Sequence, residues 1–183
     1  MKTGVLSWLK SLSGEARPDG PFELKYKSGK LNYKGNYEAG QTNGLLEEYF
    51  ENGQLKSTGN FRGGLEHGDT EKFSESGQLQ YKGHYQAGKL HGIQEWFHPN
   101  GELRERQVYI DGRKDGAWEF YYENGQPRST GFYKNNYRDG PFEVFYIDAQ
   151  LRSKGAHKND KLDGSYESYF ENGQLESTGN SIE

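Results

Sequence analysis

The chain has 183 residues, no Cys, and 27 acidic against 23 basic side chains, for a formal net charge of −4. Disulfides and thiolate metal sites are therefore excluded, and bulk charge argues against holding nucleic acid or anionic lipid. Hydrophobic residues make up 31% of the chain, aromatics 15%, and there are 26 Gly. That balance suits an extended sheet with wet faces better than a thick, dry core.

At the N-terminus, Val5, Leu6, Trp8, Leu9 and Leu12 fall on one broad helical stripe, with Lys2 and Lys10 outside it. The pattern predicts a short amphipathic helix over residues 1–13 whose apolar side makes a contact, covering the first hairpin, docking a partner or lying on a membrane. The apolar run is too short for a spanning helix and has no small-residue cleavage site, so a cytoplasmic location is expected. Residues 14–18 read as a linker, and residues 19–183 as one repeat domain.

The repeat is legible in its glycines. Gly20, Gly44, Gly68, Gly92, Gly116, Gly140 and Gly164 recur every 24 residues. Gly29, Gly53, Gly77, Gly101, Gly125 and Gly173 keep the same step, broken at Ala149. A third column runs from Gly35 to Gly179 and is broken at Gln107. Tyr49–Asn60 and Tyr169–Asn180 differ at a single position. Each unit has two runs too short for a typical helix, separated by turn signals such as Asn52-Gly53, which predicts a type I′ hairpin turn. The expected fold class is all-β: an elongated, single-layer, twisted antiparallel sheet of about seven tandem 24-residue hairpins, with the short N-terminal helix.

A two-residue turn at Asn52-Gly53 sets Leu46, Glu48 and Phe50 on one face, opposite Gly59, Ser57 and Leu55. The other face then carries Glu23, Glu47, Glu71, Glu95, Glu119, Glu143 and Glu167, facing Lys34, Thr58, Lys82, Arg106, Thr130, Lys154 and Thr178. Such a column reads either as a structural ladder of ion pairs and hydrogen bonds or as a partner surface. Equivalent carboxylates two strands apart stand about 10 Å from one another, too far to share a metal ion. Beside them lie Tyr49, Phe73, Phe97, Tyr121, Phe145 and Tyr169, which pack on the sheet and are the candidate partner-binding residues.

His67 and His91 occupy a turn slot that other units fill with Asp or Asn, while His84, His98 and His157 occur singly. No catalytic set, metal site or cofactor motif stands out, and the Gly series does not form a phosphate loop before a helix. A non-enzyme is expected.

The spacing Tyr33-x-Gly35-x-Tyr37-x-x-Gly40-x-x-x-Gly44 resembles the MORN repeat, as do Tyr81–Gly92 and Gly131-Phe132-Tyr133. The run Tyr121-Tyr122-Glu123-Asn124-Gly125 is similar to the bacterial MORN variant commonly grouped with YwqK-type antitoxins. Gln107, Ala149, Pro127 and Ser181 depart from the pattern. The resemblance implies a non-catalytic binding scaffold, monomeric apart from its partner, and the antitoxin grouping implies a protein partner such as a toxin. Some MORN proteins are linked to phospholipids, so a membrane-associated scaffold anchored by the N-terminal helix is the alternative.

Overall fold

The computed structural model describes residues 18–181, and among them every regular element is a strand. The strands are β1 (Gly20–Lys25), β2 (Leu31–Glu38), β3 (Gln41–Thr42), β4 (Gly44–Tyr49), β5 (Leu55–Arg62), β6 (Leu65–Phe73), β7 (Leu79–Gln86), β8 (Lys89–Phe97) and β9 (Leu103–Ile110). They continue as β10 (Arg113–Tyr121), β11 (Pro127–Lys134), β12 (Tyr137–Arg138), β13 (Gly140–Phe145), β14 (Leu151–Lys158), β15 (Lys161–Leu162), β16 (Gly164–Tyr169) and β17 (Leu175–Ser181).

All belong to one 17-stranded antiparallel sheet in which each strand pairs with its neighbours in the chain. The two-residue pieces β3, β12 and β15 run into β4, β13 and β16 after one interrupting residue: Asn43, Asp139 or Asp163. At each interruption that residue's N–H turns back to a carbonyl of the preceding strand, Asn36, Phe132 or Ala156.

The fold-class expectation is corrected on one count: no helix is present among the described residues. The predicted helix over 1–13, with Val5, Leu6, Trp8, Leu9 and Leu12, lies outside them. Within the repeats the reason is plain. Two turns in every 24 residues leave runs of at most nine residues, each committed to ladders with its neighbours.

The two turn types are the reverse of what Asn-Gly predicts. Asn52 does not have positive φ, so Asn52-Gly53 is not a type I′ turn. Phe50 instead accepts from the Gly53 N–H at 2.9 Å and donates its own N–H to the Gln54 carbonyl at 2.8 Å. That is a type I turn closed by a glycine bulge, with Gly53 at φ 92°. Asn52 contributes differently, through its Oδ1, which accepts the Gln54 N–H at 2.8 Å. The true two-residue I′ turns join the units, as at Ala39-Gly40 (φ 51° and 70°) and Asn135-Asn136 (φ 51° and 74°).

The glycine bulge also shifts the register beside it. Tyr49 pairs with Leu55 rather than Lys56, and Lys56 becomes the extra residue. Beyond it Glu48 faces Ser57, Glu47 faces Thr58 and Leu46 faces Gly59.

Neighbouring units are pinned at the hairpin ends. The Tyr26, Tyr122 and Tyr146 hydroxyls donate to the carbonyls of Tyr49, Phe145 and Tyr169, 23 residues on, at 2.6 to 2.8 Å. His98 takes the same position, its Nε2 lying 3.1 Å from the Tyr121 carbonyl, so this histidine is a unit-to-unit tie.

Candidate interaction faces of the sheet

Strand alternation gives the sheet an aromatic face and a glutamate face. The aromatic face is closed by its own side chains over the first four units. Tyr33, Tyr37, Leu46, Phe61, Tyr81 and Tyr85 are buried there. Glu48 lies among them, its carboxylate bonded by the Tyr33 hydroxyl at 2.6 Å, Lys56 at 2.8 Å and Ser57 at 3.1 Å. Gln94 and Gln107 face each other across β8 and β9 and are the largest fully buried side chains among the described residues. Gln94 accepts from the Tyr81 hydroxyl and donates to the His84 and His91 carbonyls at 2.9 and 3.0 Å. Gln107 stands in the glycine column, between Gln94 on one neighbouring strand and Trp118 on the other. Burial pushes the Tyr81 hydroxyl, and the carboxyls of Glu66 and Glu105, above their ordinary pKa values.

Over the last three units the same face is open. One column contributes: the position held by Tyr33, Tyr81 and Glu105 in the first, third and fourth units is Ser129, Ser153 and Ser177 in the fifth to seventh, while Ser57, which holds it in the second, is covered by its neighbours Glu48, Leu46 and Phe61. Around Phe142 a trough of about 690 Å³ remains. Its walls include Trp118, Phe120, Tyr133, Phe142, Val144 and Tyr166, and Ser129 and Ser153 line it. Phe142 packs at 4.4 Å between ring centres against His157 and at 6.5 Å against Tyr166. Burial and the nearby Arg138 hold the His157 imidazole below its ordinary pKa, so it is neutral at pH 7. Arg128, Arg138 and Arg152 also line the trough, and no Asp or Glu does.

On the opposite face the glutamate column forms one row across the sheet. Glu23, Glu47, Glu71, Glu95, Glu119, Glu143 and Glu167 alternate with Lys34, Thr58, Lys82, Arg106, Thr130, Lys154 and Thr178. Arg106 bridges Glu95 and Glu119 at 3.0 and 3.2 Å, and Lys154 meets Glu167 at 3.0 Å. Tyr121 folds back to donate to Glu119 at 2.9 Å, and the Tyr169 hydroxyl donates to Glu167. Tyr49, Phe73, Phe97, Tyr121, Phe145 and Tyr169 are all half-buried along this row. Further along the same strands Leu45, Ile93 and Phe132 are about half exposed. A depression of about 670 Å³ there is lined by Phe132, Pro141 and Ala156 and crossed by Glu143, Lys154 and Glu167. It resembles the trough in size, but the Lys154–Glu167 pair in its floor is already neutralised.

The trough was missed in the sequence because no single column marks it: Ser57 in the closed second unit holds the same position as Ser129 and Ser153. No helix of the described residues is long and apolar enough to cross a membrane.

No curated protein matches the chain. The MORN repeat variant model matches it six times, at residues 18–39, 42–62, 66–87, 90–111, 114–135 and 162–182. The stretch between the last two matches holds the sixth hairpin, where Ala149 stands in the turn glycine's place. With more than half of its residues matched, the chain belongs to the MORN repeat variant family, a family of non-catalytic repeats.

Proposed function

We propose that the chain is a scaffold that binds another protein through the open part of its aromatic face. One observation carries this reading: the face is closed by buried Tyr33, Leu46, Phe61 and Tyr81 in the first units and opens into a trough of about 690 Å³ around Phe142, between Ser129 and Ser153, in the later ones. The trough leaves Phe120, Tyr133, Phe142 and Tyr166 half-buried, where Tyr33, Tyr37, Phe61 and Tyr85 on the same face are buried, and covering it with a partner recovers that area. The resemblance to antitoxin-grouped MORN variants makes a toxin the partner class to test first.

The Tyr49-to-Tyr169 column is the competing surface on the other face, supported by half-exposed Ile93 and Phe132 beside it. Affinity capture on the full chain separates the two. Ser129→Tyr/Ser153→Tyr, which fills the trough, is expected to lose the partner, and Tyr121→Ala/Phe145→Ala to keep it. The reverse pattern assigns binding to the glutamate face. A captured protein that arrests growth when expressed alone, and is silenced by this chain, identifies an antitoxin. One that is harmless removes that role.

A further inference from the structure

The charge of the trough specifies its partner. Arg128 and Arg152 occupy equivalent positions 24 residues apart, each the extra residue of a bulge, opposite Phe120/Tyr121 and Val144/Phe145 respectively. The Arg128 guanidinium lies 5.8 Å from the centre of the Phe120 ring, and that of Arg152 lies 5.8 Å from the Tyr146 ring. A guanidinium lying over a ring keeps its in-plane N–H donors free for a carboxylate. Among the described residues neither arginine has an ion-pair partner, whereas Arg106 and Arg138 are both paired with carboxylates. The strands carrying them, β11 and β14, flank β13, which puts the two side chains about 10 Å apart.

We infer that the trough takes an extended acidic segment of a partner protein, with carboxylates on Arg128 and Arg152 and an apolar side chain between them on Phe142 and Val144. This rests on the trough being the binding face. In an extended chain, residues on one side are about 7 or 14 Å apart, at spacings of two or four, and the long Arg and carboxylate side chains take up the difference from about 10 Å. Single-stranded nucleic acid also combines stacking with arginine contacts. Of the three guanidiniums that line the trough, only those of Arg128 and Arg152 lack an ion pair among the described residues, and the chain's net charge is −4, so the phosphate term is small.

The test is selection of a random-sequence peptide library on the immobilised full chain, with affinities then measured for the enriched peptides. The expected peptides carry paired Asp or Glu around an apolar residue and weaken as salt is raised. Arg128→Glu/Arg152→Glu is expected to weaken them at least about tenfold, while Arg128→Lys/Arg152→Lys keeps most of the affinity. Both arginines are exposed, so thermal melts of the variants are expected to match the wild type. Enriched peptides without acidic residues, or acidic ones indifferent to the charge reversal, overturn the inference. So does a library with no enrichment, or a labelled oligouridine that binds more tightly than any peptide. Peptides lost on Ser129→Tyr/Ser153→Tyr but indifferent to charge reversal overturn the acidic chemistry alone. Peptides indifferent to both substitutions overturn the trough reading as well.

Discussion

The Trp118 indole lies over Gly131, its partner on the adjacent strand, with Cζ2 2.5 Å from where a Cβ on that glycine would stand. Gly131→Ala therefore forces the ring or the strand aside and is expected to cost about 1–3 kcal/mol in urea unfolding. Gly179 occupies the same column in the last unit, yet an added Cβ there meets nothing within 4 Å. Gly179→Ala is the matched control and is expected to stay within about 0.5 kcal/mol of wild type.

The two turn types predict opposite effects of glycine. Gly53, at φ 92°, closes the bulge within a hairpin, and Gly53→Ala is expected to destabilise by about 1 kcal/mol. Ala87, at φ 48°, is an L-residue in a left-handed position of a turn between units. Ala87→Gly relieves that strain and is expected to stabilise by up to about 1 kcal/mol. Equilibrium unfolding of both variants checks the pair.

Thr70 is buried, and its hydroxyl has no hydrogen-bond partner among the described residues. Thr70→Val keeps the shape and removes the orphaned group, so an increase of about 1 kcal/mol in unfolding free energy is expected. A loss of stability would mean that the hydroxyl is satisfied in solution.

Burial raises the folded-state pKa of Glu66 and Glu105. A raised carboxyl contributes stability below its unfolded value of about 4.3 that is lost as pH rises through the folded value. Glu66→Gln and Glu105→Gln should therefore raise Tm relative to wild type at pH 7, with the gain fading towards pH 4. His157 has the opposite linkage, because its folded pKa is depressed. Its contribution is present above about pH 6.5 and is lost as pH falls through the folded value. His157→Gln should narrow its Tm difference from wild type as pH falls through that window.

Much of the architecture was legible because every unit repeats it. The Gly columns marked the turns, and the facing of Glu47 with Thr58 followed from period-2 alternation once Leu46 was set against Gly59. The turn type was not legible from Asn52-Gly53, since a type I′ turn and a type I turn with a glycine bulge both place Gly in the second of those positions. The discriminating signal lay in the other connection. Asn135-Asn136 and Asn159-Asp160 fit a turn in which both central residues take positive φ. The trough escaped notice for a related reason. Recurring residues drew the reading towards Glu119 and Tyr121, whereas the opening around Phe142 depends on side chains that differ from unit to unit, such as Ser129, Ser153 and His157.

The face that carries the partner can be read directly by hydroxyl-radical footprinting of side chains, with the full chain free and then bound to its captured partner. The account predicts that Tyr133, Phe142 and Tyr166 lose oxidation on binding while Phe97, Tyr121 and Phe145 do not. Protection of Tyr121 and Phe145 with unchanged oxidation of Phe142 and Tyr166 would contradict it.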